Sequence, residues 1–131
     1  MLLAWIISIA PTLVLGGEIV AAEARGEAFI ERARVGCVVA NRAADPVQWH
    51  GSANDPWRSV MLADRQFAAP YPARVEDIAA FIFGAIARPC GSATMFATPA
   101  AVARLDLVER WGAGGFRPSI RGPHVYFERL D

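Results

Sequence analysis

The first residues with a potential for chemistry are two carboxylates, Glu23 and Glu27, which flank a predicted helix break. Gly26 is expected to end the first helix, because glycine adopts the left-handed conformation after a helix at little cost. Glu23 then falls in the last helical turn, where the negative end of the helix dipole disfavours an anion. Burial beside its apolar neighbours Ile19 and Val20 disfavours the charge further. Such a carboxyl group suits a general acid, which has to hold a proton near neutral pH.

Glu27 has the opposite setting, because it lies at the start of the second predicted helix. The positive end of that helix dipole favours its charged form, and a capping role is the simplest interpretation. Arg25 lies between the two carboxylates and can pair with either. A glutamate at a helix end is often an inert surface residue, so the setting of Glu23 alone leaves its function open.

Hydrophobic periodicity divides the chain into short elements separated by glycine and proline. The β-branched and aromatic residues of 93–96 and 124–127 predict two strands that pair with each other. We therefore expect a mainly helical α+β fold with a small antiparallel sheet. The predicted helices span residues 12–24, 28–42, 75–87 and 100–111.

Length and composition indicate one globular domain that spans residues 1–131. The chain has 131 residues, of which 54% are hydrophobic and 20% are charged, so it can bury a core. Its formal net charge is +0, and no basic patch is interleaved with aromatic residues. Nucleic acid is therefore not an expected partner. We expect a monomer.

Neither the cysteines nor the histidines have the spacing of a metal site. Cys37 and Cys90 are too far apart for a zinc motif. Cys37 lies in an apolar run and is expected to pack as a small hydrophobic residue, while a disulfide to Cys90 stays open for an oxidising compartment. His50 and His124 lack the close spacing of a metal hydrolase, which is a weak rival interpretation. We expect no metal and no cofactor.

An apolar segment, residues 1–15, opens the chain. It is shorter than the roughly 20 residues of an ordinary transmembrane helix. Its length suits the apolar region of a signal peptide, but no Lys or Arg precedes it. It is interpreted either as a first core helix or as a signal or anchor, and only an anchor would give the protein contact with a membrane.

Five motifs in sequence order carry a resemblance to a known family. The turn Glu23-Ala24-Arg25-Gly26-Glu27 is followed by an apolar helix that ends in Asn-Arg, and then by a Gln-Phe-Ala element. The order resembles that of the spore-cortex-lytic, SleB-like cell wall hydrolases, over roughly residues 18–129. The later motifs are Val35–Arg42, Gln66–Ala68, Gly91–Pro99 and Gly122–Phe127.

The resemblance implies a lysozyme-like domain that cleaves the glycan strands of peptidoglycan, in many members as a lytic transglycosylase. The family's catalytic glutamate corresponds to Glu23, the residue that the helix-end setting also selects. Asn41 is interpreted as a glycan ligand, as a group that orients Glu23 or as a helix cap. His124 is interpreted as a residue that orients a neighbour or as a structural residue. The residues expected to bind substrate are Glu27, Asn41, Gln66, Phe67, Thr94 and His124.

Two departures from the family pattern bear on substrate preference. The family often has His-Tyr-His-Asn where this chain has Met95-Phe96-Ala97-Thr98. The family's proline after the second glutamate is Ala28 here. Polar contacts to sugar are therefore expected to be fewer, or to come from other residues.

The number of carboxylates favours an intramolecular mechanism. Glycosidases usually need two carboxyl groups beside the bond that they cleave. Only Glu23 has a suitable setting, although the loop residues Asp45, Asp55 and Asp64 stay as alternatives. With a single acid, the 6-hydroxyl of the sugar can close an anhydro ring.

A rival from another class is a non-catalytic peptidoglycan-binding protein or a phage virion structural module on the same fold. In either case the expected location is the cell wall or periplasm, reached by export or by phage delivery.

Overall fold

The computed structural model describes residues 2–130, and side chains from Ile9 onward. Its helices and three-stranded antiparallel sheet confirm the mainly helical α+β class. A short 3-10 helix, Pro46–Trp49, lies between α2 and α3. The helices are α1 (Leu2–Ala24), α2 (Phe29–Ala43), α3 (Pro56–Leu62), α4 (Val75–Ala87), α5 (Pro99–Arg104) and α6 (Leu107–Ala113). The strands are β1 (Met95–Ala97), β2 (Phe116–Arg121) and β3 (Val125–Arg129).

The first helix is longer than the sequence indicates. It begins at Leu2 rather than near residue 12, and it includes Pro11. From Leu13 onward most of its apolar side chains pack in or against the core, whereas Val14 is exposed. The side chains of residues 1–8, half of the apolar opening segment, lie outside the described part. Within the residues that the structure describes, no helix combines the length and apolar character that crossing a membrane requires.

The core forms where α1, α2 and α4 pack together. Ile19 and Val20 of α1 meet Val35 and Val39 of α2 in one buried cluster, and Phe81 of α4 completes it. All of them are nearly inaccessible to solvent, so each contributes roughly 1.5–3 kcal/mol of apolar burial. This cluster fixes the end of α1, and therefore the position of Glu23.

Close packing of α2 against α4 depends on Gly84. A Cβ atom at this position would overlap the carbonyl oxygen of Ala33 and lie 2.9 Å from the amide nitrogen of Cys37. Both obstacles are backbone atoms, so α4 would have to move away from α2.

We expect Gly84→Ala to lower the free energy of unfolding by about 2 kcal/mol, because overpacking a rigid contact costs about that much. Gly112→Ala is the matched control, since a Cβ atom there meets nothing within 4 Å. Chemical denaturation of both variants measures the difference. Equal stability of the two variants would contradict the role given to the contact between α2 and α4.

The sheet has the strand order β1-β3-β2, with both pairings antiparallel. Met95 pairs with Phe127 and Ala97 pairs with Val125, which confirms the predicted pairing of the two strands. Strand β2 was not predicted. The predicted helix of residues 100–111 is divided into α5 and α6, because Asp106 adopts a left-handed conformation with φ 54°.

Cys37 of α2 and Cys90, in the turn after α4, form a disulfide. Of the two interpretations left open for these cysteines, the structure therefore has the bridge, with both residues buried in an apolar cluster. The bond closes a sequence separation of 53 residues. A closed loop of this length typically stabilises a fold by about 2–4 kcal/mol.

Candidate active site

Glu23 lies in the last turn of α1, and its carboxylate contacts a distant segment of the chain. Its Oε1 accepts a hydrogen bond from the main-chain N–H of Ala68 at 2.5 Å. Ala68 follows Gln66 and Phe67 in the segment between α3 and α4. The contact joins the first and third motifs of the resemblance, which are 45 residues apart. The side chain of Glu23 is half-buried, so one face stays open to a ligand.

The central cation of the site is Arg42, which is only 5% exposed. Its Nε donates to the carbonyl oxygen of Thr94 at 2.6 Å, and its Nη1 donates to Oε1 of Gln66 at 3.5 Å. The guanidinium carbon lies 4.6 Å from the ring centre of Trp49 and 4.7 Å from that of Phe67. A guanidinium held between two rings and two acceptors has little freedom to rotate.

The charge of Arg42 is coupled to that of Glu23. Burial lowers the pKa of Arg42 to about 10, although the negative charge of Glu23 acts in the opposite direction. Arg42 therefore stays a cation at neutral pH. The sequence indicated an apolar wall around Glu23, but its carboxylate also accepts from a main-chain N–H and interacts electrostatically with the guanidinium of Arg42. Ile19 and Val20, the apolar neighbours, pack into the core.

Three of the predicted site residues therefore meet around Arg42. Gln66 contributes its side-chain oxygen, Phe67 its ring and Thr94 its carbonyl oxygen. Their contacts to one guanidinium, together with the bond between Glu23 and Ala68, define the candidate site.

Phe96 connects this site to a second polar cluster. Its ring centre lies 6.3 Å from that of Phe67 and 5.2 Å from that of His124. His124 is buried and contacts Glu31, which is 2% exposed. Nδ1 of His124 lies 3.0 Å from Oε1 of Glu31, and the Tyr126 hydroxyl donates to the same oxygen at 2.6 Å.

The cluster of Glu31, His124 and Tyr126 favours an ionised glutamate. Burial raises the pKa of Glu31, but the hydrogen bonds from His124 and Tyr126 outweigh it, so the pKa lies below its ordinary value of 4.5. Burial, and then the bond to Glu31, raise the pKa of Tyr126. His124 holds β3 against α2, which agrees with its structural interpretation.

Asn41 supports the disulfide loop and makes no described hydrogen bond to Glu23. Its Nδ2 donates to the carbonyl oxygens of Gly91 and Ala93 at 2.9 and 2.8 Å. Its Oδ1 accepts a hydrogen bond from Arg88. These contacts fix the turn that leads into β1.

Glu27 lies in the turn after Gly26, which has the left-handed conformation expected of it, with φ 84°. The N-cap of α2 is Ala28, and no side chain caps that position. The capping interpretation of Glu27 was therefore wrong. In the described part of the chain its half-buried side chain makes no hydrogen bond, so it is free to meet a ligand.

The loop carboxylates and His50 lie apart from both clusters in the described part of the chain. Asp64 is almost fully exposed and lies 3.9 Å from Arg65, and Asp45 and Asp55 precede short helices. His50 is exposed on a left-handed turn. Within residues 2–130 no three potential metal-ligating side chains lie together.

Two residues of this region, Arg42 and Glu31, were not selected from the sequence. The sequence contained a signal for both, because Glu31, Val35, Val38 and Arg42 repeat at four, three and four residues along α2. A charged residue on an otherwise apolar helical stripe has to be buried with partners.

Comparisons with models of protein families, with curated proteins and with solved structures give no match to this chain. The function is therefore inferred from the motifs and the geometry of the site.

Proposed function

We propose that this protein cleaves the glycan strands of peptidoglycan as a SleB-like cell wall hydrolase, with Glu23 as the catalytic acid. The observation that carries the proposal is the contact between Glu23 and Ala68. It brings together two motifs that are 45 residues apart and that both carry the resemblance to the SleB-like family. The half-buried carboxylate beside a fixed cation adds support, because active sites commonly hold a charged group in such a setting.

The proposed reaction needs one carboxyl group and no water. The Glu23 carboxyl donates its proton to the glycosidic oxygen, the bond from C1 to that oxygen breaks, and the leaving sugar departs as an alcohol. The Glu23 carboxylate then takes the proton of the muramic acid 6-hydroxyl while O6 bonds to C1. The product is a 1,6-anhydro sugar, and Glu23 is protonated again.

Arg42 is proposed as a positioning residue in this cycle. Its charge stabilises the carboxylate form of Glu23 after the proton has left, at the stage when the bound sugar is cationic. Its hydrogen bonds hold Thr94, before β1, and Gln66, between α3 and α4, at a fixed separation. Glu27, Gln66 and Thr94 are the polar groups expected to meet the sugars.

The disulfide between Cys37 and Cys90 agrees with a proposed location outside the reducing cytosol. Peptidoglycan, the proposed substrate, also lies outside the cytosol. We therefore propose the cell wall or periplasm as the place of action, reached by export or by phage delivery.

The products of digestion test the reaction type. Purified peptidoglycan treated with this protein is expected to yield fragments that end in anhydromuramic acid, each lighter by one water than a hydrolysed fragment. Mass spectrometry distinguishes the two. Reducing ends without anhydro ends would exclude the intramolecular step and require a second carboxylate or a bound water.

A further inference from the structure

A basic pocket of about 210 Å³ lies next to the turn that carries Glu23. It opens between the end of α1, the start of α2 and the segment that precedes α4. Three arginines and one acidic residue line it, namely Arg25, Arg32, Arg74 and Asp77. Its lining therefore has two more positive than negative charges, in a chain whose formal net charge is +0.

The one carboxylate of the pocket is already engaged. Asp77 accepts from Arg32 at 3.0 Å and from the main-chain N–H of Arg74 at 2.9 Å. Among the described residues, no carboxylate lies within ion-pair distance of Arg25 or Arg74. Two guanidinium groups are thus left for an external anion.

Contacts within the protein position Arg25 at the pocket. The guanidinium carbon of Arg25 lies 3.9 Å from the ring centre of Tyr71, and the main-chain N–H of Tyr71 donates to Glu18 of α1 at 3.2 Å.

We propose that this pocket binds a carboxylate of the peptide stem that muramic acid carries next to the cleaved bond. The inference rests on the proposed function. Arg25 is two residues from Glu23, so their Cα atoms are at most ~7 Å apart. A stem that leaves the sugar at Glu23 starts close to the pocket.

The chemistry of the pocket favours a carboxylate. Guanidinium groups bind carboxylates through two parallel hydrogen bonds, and peptide stems contain several carboxylates. With about 210 Å³, the pocket has room for such a group. A stem carboxylate bound in the pocket would let the protein distinguish strands that carry peptide stems from strands that lack them.

The experiment compares two substrates made from the same peptidoglycan. One keeps its peptide stems, and the other has lost them to an amidase that cuts between the lactyl group and the first amino acid. The lactyl carboxylate that this cut exposes is then converted to a neutral amide, so that the second substrate has no carboxylate beside the cleaved bond. For the wild-type protein we expect kcat/KM to be about tenfold higher on the strands with stems, the effect of one charged hydrogen-bonded pair.

Arg25→Gln and Arg74→Gln are each expected to reduce this preference about fivefold or more. Arg104→Gln, an exposed arginine on α5 away from the pocket, is the matched control and should keep the wild-type ratio. The ratio of the two rates does not depend on how much of a variant is folded. A wild-type protein that cuts both substrates equally would overturn the pocket inference and leave the proposed function intact.

Binding without turnover gives a second readout. NMR signals of the Nε–H groups of Arg25 and Arg74 should shift with a disaccharide tetrapeptide and not with the same disaccharide whose lactyl carboxyl group is a neutral amide instead of a peptide. Shifts with both ligands, or with neither, would overturn the inference. Failure to cleave either polymeric substrate would instead count against the proposed function.

Discussion

Glu23→Gln should reduce the release of soluble fragments from purified peptidoglycan by about 10³-fold, the size of effect that general acid catalysis supplies. Glutamine has nearly the same shape as glutamate but no proton to donate to the glycosidic oxygen. Its side-chain oxygen can still accept the hydrogen bond from Ala68, so the segment with Gln66 and Phe67 stays in place. Turbidity loss and fragment analysis measure the effect.

The substitution should leave the fold intact. Glu23 is only half-buried, so we expect the free energy of unfolding to change by less than about 1 kcal/mol. Glu18→Gln is the matched control, because Glu18 is a half-buried glutamate on the same helix. It should retain wild-type activity. A folded Glu23→Gln protein that cleaves as fast as the wild type would remove Glu23 from the mechanism.

The largest expected effect on stability belongs to Glu31→Gln. His124 and Tyr126 both contact Oε1, so the side-chain oxygen of glutamine can still face them. The NH2 group then takes the place of Oε2, loses the bond from Arg34 and sets a donor against its guanidinium. Removing the charge of a buried, hydrogen-bonded group usually costs about 3 kcal/mol or more. Chemical denaturation at neutral pH measures the loss, and Glu109→Gln, on the exposed face of α6, serves as control.

The loss of stability caused by Glu31→Gln should become smaller as the pH falls. The pKa of Glu31 is lower in the folded protein than its ordinary value of 4.5. Its stabilising contribution is therefore complete above about pH 4.5 and is lost as the pH falls through the folded value. The stability gap between the wild type and the variant should narrow below pH 4.5. A gap that is constant down to pH 3 would show that the ionised carboxylate is not what stabilises the cluster.

The sequence predicted the elements with strong local signals. The bounds of α4 agree with the apolar spacing of residues 75–87, and the pairing of β1 with β3 agrees with the predicted strands. Gly26 ends the first helix region as expected, with a left-handed backbone. In each case local propensity and tertiary packing favour the same structure.

The errors occur where tertiary contacts decide. Pro11 argues against a helix locally, yet α1 continues through it. Strand β2 follows a glycine-rich loop, and it forms because β3 offers a free edge for pairing. The break at Asp106 depends on a left-handed residue that helical periodicity does not reveal.

The candidate site was predictable in part. The order of the motifs predicted one site that contains Glu23, Gln66, Phe67 and Thr94. The contacts of Arg42 and the hydrogen bond of Glu23 to Ala68 agree with this grouping. The partners of Glu31 and Arg42 were not predictable, because they lie far away in sequence. Glu31 and Tyr126, for example, are 95 residues apart. Asn41, which was selected, directly precedes Arg42 in α2. Neighbouring residues of a helix point in different directions, so the side chain of Asn41 faces the disulfide loop instead of the candidate site.

The most direct test of the proposal is a side-by-side incubation of purified peptidoglycan with the wild type and with Glu23→Gln. Bound protein and released soluble fragments are both measured. We predict that both proteins bind the polymer and that only the wild type releases fragments. Binding by the wild type without any release of fragments would contradict the enzymatic account and indicate a non-catalytic wall-binding protein.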